Sequence, residues 1–383
     1  MLNQIRSKVE NHLDITNEEA LWLLELEDEA ALREVYAIAE AINEEQNHGV
    51  VSYIHNMNFN YTNVCELYCT FCAFRRDGHE EDAYIRTEKD ILASIEGRGI
   101  SEITFQGGLT EKVKFEDTLN LLRAVKRERP EIHLHAFSAE EIDYYSRTTG
   151  LSRREILKRS HEAGLDSLCG TAAEILDDEI RKKICPTKIS ADTWIEIVRT
   201  AHEMGIHSTS TIMYGHIEKP KHWLNHLNRL RELQKQTRMI TEFIPLLFMP
   251  DNANLGKRLI QLGIQQDREK LALKMISVGR IYFQNHIRNV QTSWVKFGLP
   301  FAARTLSAGA NDMSGTLYSE SITRDAGGQN GEYVSLEQFE KTIREAGKIP
   351  QERDTLYSFQ RTADSVQKTG KNISDRYTLN AVR

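Results

Sequence analysis

The chain has 383 residues, 40% of them hydrophobic, and a net charge of −7. This length allows one large α/β barrel or two ordinary domains, and an acidic chain without a basic patch argues against a nucleic-acid partner. No apolar run approaches the ~20 residues of a membrane helix, and no secretory leader is recognisable. We therefore expect a cytoplasmic protein with reduced thiols and no membrane partner.

The first 50 residues read as helix. Thr16 is followed by acidic residues at 18 and 19, which is typical of a capped helix start. The leucines at 21, 23, 24 and 26 continue an apolar stripe along that helix. We expect an N-terminal helical extension over residues 1–50.

After residue 50 the pattern changes to short β-branched runs that alternate with amphipathic stretches. The predicted strands are 58–64, 102–106, 132–137, 165–169, 207–213, 240–247, 288–294 and 304–308. The predicted helices between them include 115–128, 152–163, 192–204, 223–236 and 267–284. Eight such units favour a parallel (β/α)8 barrel of the α/β class over residues 51–320, followed by a C-terminal helical segment over 321–383.

Three cysteines directly follow the first predicted barrel strand. Cys65, Cys69 and Cys72 are separated by three residues and then by two. A loop of this length can place three thiolates around a four-iron, four-sulfur cluster and leave one iron open. A structural zinc site needs four ligands, usually in two close pairs, and Cys169 and Cys185 form no second pair. A cluster is therefore favoured over zinc, and zinc over an accidental grouping.

This cysteine spacing, with the aromatic Phe71 before the last cysteine, resembles the radical S-adenosylmethionine (radical SAM) superfamily. The resemblance implies a 4Fe–4S cluster whose open iron binds S-adenosylmethionine, with Phe71 beside the cofactor. It also implies that Gly107 and Gly108, at the end of the second strand, contact the methionine part of the cofactor. The alternative for the glycine pair is a tight turn.

Other polar residues are predicted at the same edge of the barrel, where the chemistry of such barrels is found. Ser138 ends the third strand and is a further cofactor-binding candidate. Glu174 is a candidate for a cofactor ribose hydroxyl, because a carboxylate accepts two hydrogen bonds from a diol; a helix-start acid explains it equally well. His216 and Glu218 are candidates for holding or deprotonating a substrate; a hydrogen-bonded structural histidine is an equally good explanation.

Two sets of residues are less informative. Asn311 and Asp312, after the eighth predicted strand, could bind a polar substrate, but a loop of turn-forming residues explains them equally well. The basic run Arg181-Lys182-Lys183, with Lys188, is expected to be a solvated helix end.

A narrower resemblance rests on four segments. They are Asn-Tyr-Thr-Asn-Val-Cys (60–65), Cys-Ala-Phe (72–74), Tyr-Gly-His-Ile-Glu (214–218) and Arg-Asp-Thr-Leu-Tyr (353–357). Together they resemble the radical SAM enzymes of deazaflavin biosynthesis and of the futalosine route to menaquinone. Segments 170–179, 184–186 and 309–317 are most similar to the tyrosine-using transferases of the deazaflavin group, whereas 219–222 and 250–252 are closer to aminofutalosine synthase.

The resemblance implies an enzyme that forms a 5′-deoxyadenosyl radical, cleaves tyrosine between Cα and Cβ, and transfers the 4-hydroxybenzyl fragment to 5-amino-6-(D-ribitylamino)uracil. It further implies an electron donor such as flavodoxin or ferredoxin and a partner deazaflavin synthase subunit. The chain departs from the group at Thr110, Cys169 and Leu247, near the predicted substrate. A futalosine-pathway enzyme and a non-catalytic zinc or iron–sulfur module remain the alternatives.

Overall fold

The N-terminal residues form helices, as predicted. In the computed structural model, which describes residues 1–264 and 266–359, three helices precede the first strand: α1 (Leu2–Glu10), α2 (Asn17–Glu25) and α3 (Glu29–Asn47). Thr16 caps α2, because its hydroxyl accepts from the N–H of Glu19 at 3.2 Å while the Glu19 carboxylate accepts from the N–H of Thr16 at 2.7 Å. This capping box pairs two N–H groups that a helix start leaves without partners.

A parallel sheet of seven strands forms the centre of the molecule. A short strand, β1 (Val50–Ile54), precedes it and lies outside it. The seven strands follow one another in space in chain order: β2 (Asn56–Asn60), β3 (Glu102–Gln106), β4 (His133–Ala136), β5 (Ser167–Leu168), β6 (His207–Tyr214), β7 (Ile240–Leu247) and β8 (Asn289–Val290). All neighbouring pairs are parallel, which confirms the predicted α/β class with helical crossovers.

Helices connect these strands. They are α4 (Glu88–Ile95), α5 (Phe115–Glu128), α6 (Ala139–Thr149), α7 (Arg153–Glu162), α8 (Asp178–Ile184), α9 (Ala191–Glu203), α10 (Pro220–Thr237), α11 (Asn254–Gln261) and α12 (Arg268–Phe283). The five helices predicted between strands are all present within three residues of their expected bounds. Within the described ranges, every helix is too short or too polar to cross a membrane.

Short elements follow β8 and close the sheet. They are α13 (Trp294–Phe297), α14 (Leu299–Thr305), β9 (Asp312–Gly315), α15 (Ile322–Asp325), α16 (Leu336–Glu345) and β10 (Ile349–Glu352). β1 lies between β9 and β10 in a separate parallel sheet. The N–H of Thr292 donates to the carbonyl of Asp312 at 2.8 Å, and the N–H of Asn58 donates to the carbonyl of Tyr318 at 2.9 Å. Residues 312–318 thus join the two edges of the curled main sheet.

The strand predicted at 304–308 is wrong. These residues form the end of α14 and a 3-10 turn over Leu306–Ala308. Pro300 lies in the first turn of α14, and Phe301, Ala302 and Thr305 are buried on one helical face. The apolar run therefore reflects a short buried helix, a reading that periodicity alone does not separate from a strand.

Two other expectations have different outcomes. The strand predicted at 58–64 ends at Asn60, because the chain leaves the sheet there to form the loop that carries the cysteines. The predicted division of the chain at residues 50 and 320 stays a prediction, and residues 360–383 of its last segment lie outside the described residues.

A buried arginine ties α12 to the segment that closes the sheet. The Arg280 side chain is fully buried; its Nε donates to the carbonyl of Gly309 at 2.7 Å and its Nη2 to Oδ1 of Asn311 at 2.6 Å. Its Nη1 donates to the carbonyl of Arg288. Burial lowers the pKa of this guanidinium to about 9, and these acceptors, with Oε1 of Gln46 at 3.3 Å, stabilise the buried charge.

Replacing this arginine tests how much the closure contributes to stability. We expect Arg280→Met to lower the free energy of unfolding by about 3 kcal/mol, because the acceptors that it binds, two of them fully buried, lose their donor. Urea denaturation followed by circular dichroism measures the change. The control is Arg304→Met, which removes an exposed ion pair with Glu269 and should change stability by less than about 0.5 kcal/mol. Equal midpoints for both variants would contradict the assignment.

Candidate active site

A cavity of about 420 Å³ lies within the curled sheet, below the loop that follows β2. Side chains from several of the strands line it, together with residues of that loop. Its size is in the range of sites for small molecules. The parallel fold therefore places a ligand-sized space where barrels of this type carry their chemistry.

The loop over residues 61–87, called the cysteine loop below, is fixed by hydrogen bonds of its own. The Asn63 amide donates to the carbonyl of Asp82 at 2.9 Å and accepts from the N–H of Tyr84 at 2.8 Å. The N–H of Thr70 donates to the carbonyl of Ile184 at 2.8 Å, which ties the loop to the end of α8. The loop is thus held at both of its sides.

The three predicted ligand cysteines meet at one place. Cys65, Cys69 and Cys72 all line the cavity as free, half-buried thiols, and Phe71 lines it with them. Of the two remaining cysteines, Cys185 is absent from the cavity wall, and Cys169 lies in the wall with its thiol donating to the carbonyl of His135 at 3.1 Å.

The surroundings of the three thiols fit a metal cluster. Burial raises the pKa of Cys72, and the backbone N–H groups of Arg75 and Phe74 act in the opposite direction by donating to its sulfur. Burial also raises the pKa of Cys69, and the positive charge of Lys188 opposes it. Backbone donors and a nearby cation favour thiolates, the form that binds iron. Three thiols that line one cavity fit a cluster with one iron left for another ligand.

Gly107 and Gly108 line the cavity, but the structure gives a further reason for both glycines. A β-carbon on Gly107 would lie 2.4 Å from the Tyr61 ring, and one on Gly108 would lie 2.2 Å from the carbonyl oxygen of Val64. The end of β3 thus packs directly against the cysteine loop. The two glycines are therefore needed for packing against the protein itself, and they also line the cavity.

Ser138 lies at the cavity wall and caps α6. Its hydroxyl donates to Oε2 of Glu141 at 2.7 Å, and Oε1 of Glu141 accepts from the Tyr61 hydroxyl at 2.8 Å. Burial raises the pKa of Glu141 to about 7. The serine predicted to bind a cofactor is therefore joined to a buried carboxyl group beside the glycine pair.

Glu174 lines the cavity in an ion pair. Its Oε1 lies 2.7 Å from Nζ of Lys188, and the ammonium also lies 5.7 Å from the centre of the Phe71 ring. Burial disfavours the charged lysine, but the charges of Glu174 and other neighbours raise the pKa of Lys188 overall. The pair brings a fixed positive charge to the cysteine loop.

The expectation that Arg181 and Lys188 belong to a solvated basic run is wrong. Arg181 is buried, with Nη2 donating to the carbonyl of Ile189 at 2.7 Å, whereas Lys182 and Lys183 are exposed. Lys188 lies beyond the end of α8 and is not part of that helix. Pro186 in the sequence indicates that the helix ends before Lys188.

A second carboxylate beside this pair has an oxygen without a partner. Glu140 is buried and lines the cavity, and its Oε2 accepts from the N–H of Ile189 at 3.0 Å. Its Oε1 has no hydrogen-bond partner among the described residues. Burial raises the pKa of this carboxyl group. Glu140 is not among the predicted site residues, because a glutamate at a helix start is usually exposed.

His216 and Glu218 lie outside the cavity wall. Nδ1 of His216 is 2.7 Å from Oε2 of Glu218, and both side chains are fully buried. Burial opposes ionisation of Glu218, but the adjacent His216 and an indole donor, Trp223 at 2.9 Å, lower its pKa overall. Their position indicates a structural pair in the turn after β6, and the predicted catalytic role gains no support from it.

Asn311 and Asp312 also lie outside the cavity wall. Asn311 accepts from Arg280 and from the N–H of Val290 at 2.8 Å, so its amide holds the closing segment. Asp312 accepts from Nε of Arg353 at 2.5 Å and from the Ser52 hydroxyl at 2.6 Å. Neither side chain is brought to the space where a substrate would lie.

The deep end of the cavity carries charged residues that are not among the predicted site residues. Arg353 lines the cavity between Asp312 and Glu242, with its Nη2 3.7 Å from Oε2 of Glu242. That oxygen also accepts from the Tyr357 hydroxyl at 2.7 Å and from Gln291 at 2.9 Å. Burial raises the pKa of Glu242 to about 7. These groups bind one another, so both Arg353 and Glu242 already have partners within the protein.

His135 faces the same deep part of the cavity. Its Nδ1 lies 2.7 Å from the Ser167 hydroxyl and its Nε2 3.2 Å from that of Thr209. Burial lowers its pKa to about 4, so the imidazole is neutral at physiological pH. The position of His135 in the middle of a short strand was the only indication that its side chain points inward.

Comparison with protein families agrees with this site. Residues 59–230 match the radical SAM superfamily, and residues 237–366 match the CofH/MqnC C-terminal region. The first match includes the cysteine loop, the glycine pair and Glu174. The second includes Glu242 and Arg353 at the deep end of the cavity.

Three curated relatives carry one name, 5-amino-6-(D-ribitylamino)uracil–L-tyrosine 4-hydroxyphenyl transferase. The protein from Methanopyrus kandleri is 43% identical over 80% of this chain and 84% of its own length. Those from Methanocaldococcus jannaschii and Microcystis aeruginosa are 41% and 39% identical, each over 93% of this chain and 98% of their own length. The similarity therefore extends over nearly whole chains.

Solved structures share the fold at lower identity. Methylornithine synthase (PylB) aligns with a TM-score of 0.70 at 19% identity, over 90% of this chain and 97% of its own. The hydrogenase maturase HydG aligns with a TM-score of 0.69 at 18% identity, over 91% and 76%. These structures support the architecture, and the curated relatives identify the family. The chain belongs to the 5-amino-6-(D-ribitylamino)uracil–L-tyrosine 4-hydroxyphenyl transferase family of the radical SAM superfamily.

Proposed function

We propose that the chain is a radical SAM transferase that cleaves tyrosine between Cα and Cβ and transfers the 4-hydroxybenzyl fragment to 5-amino-6-(D-ribitylamino)uracil. The observation that carries this proposal is the near full-length identity to relatives of that name, combined with three cysteines that face one ligand-sized cavity. The cavity has room for small-molecule reactants next to the thiols.

Cys65, Cys69 and Cys72 are proposed to hold a 4Fe–4S cluster. When bound, the cluster and S-adenosylmethionine supply a 5′-deoxyadenosyl radical by one-electron reductive cleavage. Residues of the cavity wall are proposed to hold the cofactor: Phe71, Gly107, Gly108, Ser138 and Glu174. Their shared position around the cysteine loop supports this assignment.

Lys188 is proposed to bind the cofactor carboxylate. Its ammonium is buried at the cavity beside Phe71, where a carboxylate would meet a fixed positive charge. Glu174 keeps Lys188 charged and oriented and still has a second oxygen for a ribose hydroxyl.

A proton must leave tyrosine during the transfer. His216 and Glu218 were the predicted acceptors, but Glu140 is better placed because it lines the cavity and one of its oxygens has no hydrogen bond within residues 1–264 and 266–359. Its raised pKa makes this carboxylate a stronger base than an exposed glutamate. We propose Glu140 for this role.

The reaction also needs partners. A flavodoxin or ferredoxin is proposed as the electron donor, because the reaction takes up single electrons. A second deazaflavin synthase subunit is proposed to use the product. A futalosine-pathway reaction is the competing activity within the same fold, and the description of the C-terminal family match names more than one group.

The cluster assignment predicts the behaviour of cysteine variants. Cys69→Ala should lose the brown absorbance and most of its iron after anaerobic reconstitution, from about four irons per chain. Cys185→Ala is the matched control, because this cysteine is buried but absent from the cavity wall, and it should keep the cluster. A full iron complement in Cys69→Ala would exclude the assignment.

The Lys188 assignment predicts a binding defect without loss of the cluster. Lys188→Met should raise the Kd of S-adenosylmethionine about tenfold or more, since a charge-assisted contact is lost, while iron content stays constant. Lys188→Arg should recover part of the affinity. Lys182→Met removes an exposed lysine of the same region and should leave the Kd unchanged. An unchanged Kd in Lys188→Met would refute this role.

The substrate assignment predicts the products. Reduced, reconstituted enzyme given tyrosine and the ribityl-aminouracil should form 5′-deoxyadenosine in step with tyrosine loss. It should also release glyoxylate and ammonia, because the glycine imine left by Cα–Cβ cleavage hydrolyses. Mass spectrometry measures all four. If tyrosine stays intact while a futalosine precursor is consumed, the substrate assignment is wrong and the enzyme belongs to the futalosine pathway.

A further inference from the structure

The inner face of the first two strands of the main sheet is polar. Alternate residues of β2 and β3 face the cavity and lie side by side in the parallel register: Asn56 with Glu102, Asn58 with Thr104, and Asn60 with Gln106. The interior of a (β/α)8 barrel is usually filled by branched aliphatic side chains. Three polar pairs, about 7 Å apart along the strands, therefore need an explanation.

The two outer pairs are explained by contacts within the protein. Asn56 donates to Oε1 of Glu102 at 2.9 Å and accepts from the N–H of Leu317 at 3.0 Å. At the other end, the Asn60 amide donates to the Ser321 hydroxyl at 3.2 Å, and that of Gln106 donates to Thr171. These pairs support neighbouring loops.

The middle pair differs from the other two. In residues 1–264 and 266–359, the Asn58 side-chain amide has no hydrogen bond to the protein, and the Thr104 hydroxyl reaches only Glu102, at 3.4 Å. Both side chains are half-buried and line the cavity. An amide and a hydroxyl each donate and accept hydrogen bonds, so this pair can bind neutral hydroxyl groups.

The opposite side of the cavity is apolar. Ile244 and Leu246 of β7 line it with apolar surface, which suits an aromatic ring. At the deep end Arg353 is bound by Asp312 and lies near Glu242, and both oxygens of Glu102 accept hydrogen bonds from Asn56 and Thr355, so these charged groups already have partners in the protein. The β2–β3 side is therefore suited to an uncharged, hydroxyl-rich group.

We propose that the ribityl arm of the aminouracil lies against β2 and β3, with its hydroxyls hydrogen-bonded to Asn58 and Thr104. This assignment rests on the proposed function and specifies which end of that substrate enters the barrel. The uracil ring then lies nearer the cysteine loop. Asn58 and Thr104 determine specificity for the polyol and take no part in forming the radical.

The test compares two ligands on reconstituted enzyme. The first is 5-amino-6-(D-ribitylamino)uracil, and the second is 5-amino-6-(pentylamino)uracil, which has the same chain length without hydroxyls. We expect Asn58→Leu to raise the Kd of the ribityl compound about tenfold, measured by anaerobic calorimetry, and to change that of the pentyl compound less than twofold. Thr104→Val, which keeps the shape of the side chain, should act in the same direction.

Controls separate this assignment from a general defect. Leu246→Ala enlarges the apolar side of the same cavity and should change the affinity for both compounds by a similar factor. Iron content and S-adenosylmethionine binding should stay at wild-type levels in Asn58→Leu and Thr104→Val. Equal losses for both compounds, or no loss for either, in these two variants would overturn the assignment.

Measurements on the wild-type enzyme separate failure of this assignment from failure of the proposed function. If the wild-type enzyme neither binds nor consumes the ribityl compound, the proposed function fails and this assignment fails with it. If the wild-type enzyme consumes it but the two variants do not discriminate between the compounds, only the placement of the ribityl arm is wrong.

Discussion

The carbonyl oxygen of Val64 occupies space that any side chain at Gly108 would need. A β-carbon there would lie 2.2 Å from this oxygen, far inside van der Waals contact. The N–H of Gly108 donates to the carbonyl of Thr62 at 2.8 Å, so the approach is also a hydrogen-bonded one. Because the cysteine loop rests on the end of β3 in this way, the position of Cys65, the first of the three thiols, depends on two residues that have no side chain.

The interior of the molecule contains many ionisable groups, and some of the cations among them lie beside a carboxylate. Arg353 is held by Asp312, and Lys188 by Glu174, in places where a lone charge would be strongly unfavourable. Pairing of this kind fixes geometry more than it adds stability. The neutral amide of Asn58 stands out against that background, because it faces the cavity and is bound to nothing in the described part of the chain.

The sequence was most informative where the chemistry is local. The spacing of Cys65, Cys69 and Cys72 can be read along the chain, and the alternation of strands and helices follows from side-chain periodicity. It was least informative where burial depends on distant segments. Lysine is usually a surface residue, and only the fold brings Lys188 close to Phe71. His216 and Glu218 are close to a strand end, as expected, but the turn after β6 directs them away from the cavity.

The small sheet at the edge of the molecule has a consequence for synthesis on the ribosome. β1 forms near the start of the chain, yet both of its neighbours, β9 and β10, are made more than 250 residues later. At translation rates of about 5–20 residues per second, the edges of this nascent strand wait for ten seconds or longer before their partners leave the ribosome. An unpaired strand is prone to join other chains during such an interval. The pairing of β1 is therefore a late step of assembly, which a growing chain cannot begin before residues 312–352 have been made.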